Sequence, residues 1–316
     1  MTLSRAVRLI VAVGLTAYVL WASDPAGVVA ASRGADLRWI GAAVALVLVD
    51  RTLMALRWID LLEALTPASR PPFAAVLRVF FVSSFVSNFV PSVAADSYRA
   101  FALSRYDVHL AESAASVLLD RLLGILSVAI VAAVALPFAS RLGIPPGVTW
   151  LLALTMAGCA ASGAIVLSER AASTVVSAAR AVRVPVVYRV TASLTEAVRR
   201  YASYHLVLVR VLALSILVQV IRVAQAYCLG AALGIDVPAV AYAAFVPLIV
   251  LIIQIPITIN GLGTAQLAFK YLFVPAGATA PAAFALSVLF LALGVLGTVP
   301  GAALYAMDPA KRRDAP

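Results

Sequence analysis

The sequence predicts an all-α polytopic integral membrane protein with about six full transmembrane helices and two broken, re-entrant helical hairpins. Of its 316 residues, 64% are hydrophobic and only 12% are charged, which is far more apolar than a soluble domain. Several apolar runs are long enough to approach or match the thickness of a bilayer. Two of these runs break at a proline, Pro91 or Pro256, and no charged loop follows directly.

We expect one transmembrane domain, residues 1–316, arranged as two similar halves. Its predicted segments are a first span within 1–30, a first half at 38–138 with a hairpin at 73–105, a linking span and cytoplasmic amphipathic segment at 149–204, and a second half at 205–307 with a hairpin at 240–275. The charge pattern makes the two hairpins enter from opposite sides, which is typical of the inverted repeats of secondary transporters. The amphipathic segment is interpreted as a connector, with lipid sensing as the alternative.

The chain carries a net charge of +10, from 24 Lys and Arg residues against 14 Asp and Glu residues. We expect no nucleic acid partner, because a soluble basic face needs much more polar surface. The positive residues favour cytoplasmic loops, with both termini cytoplasmic and the bilayer and its anionic lipids as partners. Cys159 and Cys228 lie in apolar runs and are interpreted as small hydrophobic residues, so no metal, cofactor or disulfide is expected.

The first span follows two arginines and is favoured over a secretory signal peptide, because no convincing small-x-small cleavage site comes after it. The next span lies between Trp39 and Trp58, which would be about 28 Å apart along a helix, as in an aromatic belt. Asp50 and Arg51 inside this span are interpreted as a mutually neutralising pair, with snorkelling of Arg51 as the alternative.

Arg57 marks the cytoplasmic segment that precedes the first hairpin. The hairpin helix is expected to stop at Pro91, and Asp96 and Arg99 follow three residues apart. Before the break, Asn88 shares one helical face with two serines. A helix that breaks at membrane depth must line a polar cavity or be covered by protein, because hydrocarbon cannot satisfy its backbone groups. We therefore expect the functional site here.

Two further spans carry charged residues among apolar ones. In the first half, a stripe of small and polar residues recurs at helical spacing, namely Ser113, Ser116, Asp120, Gly124 and Ser127. Charged residues within a span usually face the bundle interior, so Asp120 is expected to point inward with Arg121 beside it. In the second half, Gln219 and Arg222 share one helical face, and an arginine at that depth needs a partner or water.

The second hairpin is predicted to break at Pro256. Gly261 and Gly263 free the backbone after the break, and Asn260 tolerates a left-handed conformation. Thr264 is expected to cap the helix that follows. The N-terminus of that helix suits an anion such as a phosphate headgroup.

Four segments carry a family resemblance. They are RTLMALRW at 51–58, NFVPSVAADSYRAFALSR at 88–105, SVLLDRLLGIL at 116–126 and ITINGLGTAQLAF at 257–269. Together they resemble the lysylphosphatidylglycerol synthase transmembrane-region family, also called flippase-like domain proteins. Where the family pattern has glycines, this chain has Ser92, Ala94 and Ala95, and Gln266 replaces an acidic residue. Glutamine holds no negative charge, which weakens proton coupling at that position.

The resemblance implies a protein that moves a phosphate-bearing lipid or polyprenyl-linked headgroup between leaflets. We expect it in the bacterial inner membrane. The family's soluble synthase domain is not expected, because no polar stretch is long enough to fold one. The residues expected to bind the headgroup are Arg99, Arg121, Arg222, Asp96, Asp120, Asn88, Gln219, Asn260 and Gln266, and the hairpin breaks are Pro91, Pro256, Gly261 and Gly263.

We expect no enzymatic activity, because no Walker motif, nucleophile and base pair, or metal-ligand cluster stands out in the sequence. One alternative is a non-catalytic accessory subunit that partners an enzyme of lipid or envelope biosynthesis. Another is a polyprenyl-dependent membrane glycosyltransferase with Asp24 or Asp36 as the base.

Overall fold

The structure is a computed structural model, and it describes residues 26, 29, 33–66, 71–88, 92–106, 108–135, 137, 150, 153–158, 160–161, 168–181, 185–254, 258 and 261–306. These residues form helices joined by turns, and they contain no β-strand. The predicted first span, most of the linking span, and Pro91, Pro256 and Asn260 lie outside the described residues.

The described α-helices are α1 (Leu37–Leu65), α2 (Phe73–Val86), α3 (Ser92–Ala102), α4 (Leu110–Ala135), α5 (Glu169–Ala181), α6 (Pro185–Arg200), α7 (His205–Ala232), α8 (Ala239–Gln254), α9 (Thr264–Phe273), α10 (Ala280–Leu296) and α11 (Val299–Ala306). Four stretches are long and apolar enough to cross a membrane, namely Leu37–Leu65, Leu110–Ala135, His205–Ala232 and Ala280–Leu304. They coincide with four of the predicted spans. The chain is a multi-pass α-helical membrane protein.

The first hairpin is interrupted close to the predicted break. α2 ends at Val86, earlier than predicted, and α3 starts at Ser92. Ser87 and Asn88 therefore lie in a turn and not on the helical face that their spacing suggested. The Ser87 side chain donates a hydrogen bond to the Ser84 carbonyl at 2.7 Å, so local side-chain bonds compete with continuation of the helix.

The second hairpin is interrupted between α8 and α9, with two glycines at the end of the interruption. Gly261 and Gly263 have φ angles of 73° and 84°, a region that glycine enters without steric cost. Gly263, not Thr264, is the N-cap of α9. The prediction for Thr264 was wrong because its hydroxyl donates to the Gly261 carbonyl at 3.0 Å. The cap bond comes from Gln266, whose Oε1 accepts from the Gly263 N–H at 2.5 Å.

The two halves make the same set of helix contacts when their elements are exchanged. The first half comprises α1, α2, α3 and α4, and the second comprises α7, α8, α9 and the pair α10 and α11. In this comparison α1 corresponds to α7, α2 to α8, α3 to α9, and α4 to the pair α10 and α11. Between the halves, α1 packs on α7. The contact of α4 with α8 has its counterpart in the contact of α11 with α2. Within each half the matching pairs also recur: α2 with α3 and α8 with α9, and α3 with α4 and α9 with α10.

Corresponding helices run antiparallel where the halves meet. The start of α1 lies beside the end of α7, because the Asp36 N–H donates to the Ala232 carbonyl at 2.9 Å. The end of α1 lies beside the start of α7, where Arg210 Nε is 3.1 Å from an Asp60 oxygen. Because the start of each helix lies beside the end of the other, α1 and α7 run in opposite directions.

The segment between the halves packs against the membrane helices. α5 and α6 contact each other, and α6 packs on α4. After α6, the buried Tyr201 hydroxyl donates to the Leu61 carbonyl at 2.7 Å. Burial raises the pKa of the Tyr201 phenol above its usual value, so the phenol stays protonated and continues to donate. Arg200 also lies 2.9 Å from Glu112 of α4. These contacts connect the segment to both long helices of the first half.

Candidate functional site

A cavity of about 340 Å³ lies where the two halves meet. It is lined by residues of α1, α2, α3, α4, α7, α8 and α10. Charged side chains in an apolar helical bundle are costly unless they are paired or hydrated. Eight of the lining residues are charged, namely Asp50, Arg51, Arg57, Asp96, Arg99, Asp120, Arg121 and Arg222. They form three groups, each centred on one aspartate.

The Asp120 group consists of Asp120, Arg57 and Arg99. Asp120 Oδ1 accepts from Arg57 Nε at 2.6 Å, and its Oδ2 lies 3.5 Å from Arg99 Nη1. Arg57 Nη1 also donates to the Ser215 hydroxyl of α7 at 2.9 Å. All three charged side chains are at most 10% exposed. One carboxylate therefore serves two buried guanidinium groups, and the group carries one excess positive charge.

Arg99 is held in place by aromatic rings as well as by Asp120. Its guanidinium carbon lies 4.7 Å from the Trp58 ring centre and 4.9 Å from the Phe80 ring centre, within the range of cation–π attraction. Trp58 is fully buried and donates from Nε1 to the Ser116 hydroxyl at 3.2 Å. The prediction that Trp58 belongs to an aromatic belt was therefore wrong, because this ring packs inside the bundle.

The Asp50 group consists of Asp50, Arg51 and Arg222. Arg222 Nε donates to Asp50 Oδ1 at 3.1 Å, and Arg51 Nε lies 3.9 Å from Asp50 Oδ2. Arg51 also donates from Nη2 to the Gly294 carbonyl of α10 at 3.0 Å. The Asp50 side chain is only 2% exposed. This group also has two arginines for one carboxylate, so it too carries one excess positive charge.

The Asp96 pair consists of Asp96 on α3 and Arg121 on α4. Their charged atoms are 2.5 Å apart, and the Arg121 side chain is 39% exposed. This pair joins the second helix of the first hairpin to a long helix. It is formally neutral and is the most exposed of the three groups.

Uncharged polar side chains complete the lining. Asn88 donates to the Thr298 hydroxyl at 2.9 Å, which joins the two halves. Gln219 donates to the Ser127 hydroxyl at 3.3 Å. Gln225 is 4% exposed, and its Nε2 atom has no hydrogen-bond partner among the described residues. An amide N–H buried without a partner is costly.

The family model for the lysylphosphatidylglycerol synthase TM region matches residues 5–301. The chain belongs to this family. The match spans both halves and all eight charged residues of the cavity. No curated protein and no solved structure matches the chain.

The structure brings most of the predicted site residues of this family member into one cavity. The lining includes Asn88, Asp96, Arg99, Asp120, Arg121, Gln219 and Arg222. Gln266 is buried at 1% exposure, caps α9 and is not part of the lining. Asn260 and both prolines lie outside the described residues. Asp36 accepts from the Arg38 N–H at 2.8 Å, which makes it the N-cap of α1.

Sequence reasoning missed four residues of this site as binding candidates: Asp50, Arg51, Arg57 and Gln225. Arg57 was interpreted as the start of a cytoplasmic segment, but it is buried against Asp120. The pairing of Asp50 with Arg51 was predicted, and its stronger bond to Arg222 was not. A usable signal was present, because Asp50 and Arg57 are seven residues apart, which places them on one helical face two turns apart.

The described residues contain no group of three or more His, Cys, Asp or Glu side chains that could hold a metal ion. The polar groups of the described cavity lining are guanidinium, carboxylate, amide and hydroxyl groups. Guanidinium groups bind phosphate through two parallel hydrogen bonds. The lining is consequently suited to binding an oxyanion.

Proposed function

We propose that the protein moves a phosphate-bearing lipid or polyprenyl-linked headgroup between leaflets of the bilayer. The observation that carries this proposal is the charge of the cavity, where five arginines meet three aspartates inside apolar helices. A positive cavity at membrane depth attracts an anionic headgroup, and the acyl or prenyl tails stay in hydrocarbon. No bond is made or broken, so the proposal is transport and not catalysis.

The antiparallel contacts of corresponding helices support an inverted repeat. If α1 and α7 are equivalent and point in opposite directions, the two halves have opposite orientations in the membrane. The interrupted helices α2–α3 and α8–α9 then act as re-entrant hairpins that enter from opposite sides, among about six full spans. Rocking of one such repeat against the other exposes a central site first to one side and then to the other. We place both termini on the cytoplasmic side of the bacterial inner membrane.

The three aspartates lower the formal charge of the described cavity lining from five positive charges to two. Each guanidinium has a carboxylate partner before a lipid arrives, which avoids the large cost of isolated buried charges. A phosphate oxygen then competes with the aspartate for the same N–H donors. Arg222 suits this exchange, because its side chain is 21% exposed and its partner Asp50 also lies beside a second arginine, Arg51.

Reconstitution tests the proposal. The purified full chain in liposomes that contain a fluorescent anionic phospholipid should speed exchange between leaflets, measured by chemical quenching of the outer leaflet. Arg222→Ala should reduce the exchange to that of empty liposomes. Arg210→Ala on the same helix is the matched control, because Arg210 is 71% exposed and does not line the cavity. Exchange by the unchanged protein that equals empty liposomes would contradict transport.

A further inference from the structure

We infer that the transported headgroup carries two negative charges on phosphate groups, one for each of two separate cationic centres in the cavity. This inference rests on the proposed function and names the class of lipid. The lining holds five arginines and three aspartates, and among the described residues no Lys, His or Glu lines it. The formal excess on the described lining is therefore two positive charges.

The two excess charges lie in different groups. In the Asp50 group, Arg51 and Arg222 share one carboxylate. In the Asp120 group, Arg57 and Arg99 share another. The Asp96 pair is balanced. Each of the first two groups is therefore one negative charge short of neutrality, and both line the same cavity.

A single monoanionic phosphate would leave one of these centres uncompensated. Asp50 and Arg57 are both on α1, seven residues apart, which corresponds to about 10 Å along the helix axis. One phosphate with one charge cannot neutralise both centres at once, and an unbalanced buried charge is strongly unfavourable. Two phosphates in one headgroup, joined directly or through a short bridge, neutralise both centres when the arginine side chains extend toward them.

The hydrogen-bonding groups near the Asp50 group agree with this assignment. Gln225 lies on α7 three residues from Arg222, and its Nε2 donor has no partner among the described residues. Arg51 Nε also has no hydrogen-bond partner there, at 3.9 Å from Asp50. Phosphate oxygens accept several hydrogen bonds at once. One phosphate at this centre accepts from both buried donors when the two side chains turn toward it.

Lipid binding to the purified full chain, measured by native mass spectrometry, tests the inference. The probes are cardiolipin and a polyprenyl diphosphate, which carry two phosphates, and phosphatidylglycerol, which carries one. We expect both two-phosphate lipids to bind at least roughly tenfold more tightly than phosphatidylglycerol. The tighter of the two identifies the source of the headgroup. Equal binding of all three lipids would overturn the inference.

A charge variant separates charge matching from general attraction to anions. Arg222→Gln leaves Asp50 balanced by Arg51 alone, so the preference for two phosphates should fall to threefold or less. Arg210→Gln removes the same charge outside the cavity and should keep the preference. If Arg222→Gln weakens every lipid equally, the inference is wrong. Leaflet exchange without this preference would refute only the inference, and the preference without exchange would refute only the transport proposal.

Discussion

The two halves of the molecule share a helix order and a contact pattern but differ in the chemistry they bring to the cavity. Of the eight charged lining residues that the structure describes, the first half supplies seven and the second supplies Arg222. The other described lining residues of the second half are uncharged and include the amides of Gln219, Gln225 and Gln254 as well as apolar side chains such as Phe290. A repeated architecture therefore does not imply repeated chemistry. The first half supplies most of the charged side chains, and the second half lines the same cavity mostly with uncharged ones.

The hairpins show the same difference. The first hairpin places Asp96 and Arg99 in the cavity. Among the described residues of the second hairpin, those that line the cavity belong to α8. Its second helix, α9, begins after two glycines with positive φ angles and is capped through Gln266. The first hairpin is therefore linked to the rest of the protein by ion pairs. In the second hairpin, the Gln266 and Thr264 side chains hydrogen-bond to the backbone, and α8 and α9 pack into an apolar core.

The most damaging single change should be the loss of the shared carboxylate in the first half. Asp120→Ala removes the carboxylate that pairs with buried Arg57 and Arg99, and breaking a buried pair in this way costs about 3–5 kcal/mol. Gln219→Ala in the second half removes one neutral hydrogen bond, which costs about 1 kcal/mol. Unfolding midpoints in matched detergent micelles measure both. An equal decrease of the unfolding midpoint in the two variants would contradict the prediction that the charged residues of the first half contribute more to stability.

A second variant tests the packing of α11 on α2. A Cβ atom on Gly301 would collide with the Phe81 carbonyl oxygen, and such overpacking costs about 1–3 kcal/mol. Gly301→Ala should therefore lower the unfolding midpoint. Gly41→Ala on α1 is the control, because a Cβ there meets nothing within 4 Å and alanine favours a helix by up to about 1 kcal/mol. A drop of equal size in both variants would contradict this close contact.

Much of the fold follows from local sequence signals. Apolar runs and helical spacing predicted four of the long stretches, and the polar stripe placed Asp120 in the interior, where it is 5% exposed. Gly261 and Gly263 were expected to free the backbone, and both have positive φ angles. These features depend on periodicity and backbone freedom, which neighbouring residues determine.

The ion-pair network could not be predicted in the same way. Arg57 and Asp120 are 63 positions apart, and Arg222 and Asp50 are 172 apart. Arg57 lies at the end of an apolar run, where an arginine is either buried in the bundle or exposed in a loop. The neighbouring residues are the same in both cases. Only the packing of α1 against α4 and α7 distinguishes the two. Sequence periodicity therefore identified the candidate helices, while tertiary contacts decided which charges meet.

A third prediction adds a charge from the second half. Gln225→Glu introduces a carboxylate beside Arg222 and lowers the formal excess in the cavity from two charges to one. Binding of a polyprenyl diphosphate should weaken about tenfold, which corresponds to about 1.4 kcal/mol. Gln225→Leu removes the amide without adding charge and should weaken binding less, by about threefold. Tighter binding by the Gln225→Glu protein would show that net charge does not govern affinity.

The smallest effect should come from Gln266, and it separates a cap from a binding residue. Gln266→Ala removes the bond to the Gly263 N–H, and the loss of a helix cap costs about 1 kcal/mol. Gln266→Glu keeps an acceptor at the same place and adds a favourable charge at the helix N-terminus, so it should retain stability. Neither variant should change leaflet exchange, because Gln266 lies outside the cavity lining. Exchange lost in both variants, with stability unchanged, would place Gln266 on the path of the headgroup and extend the charged site into the second hairpin.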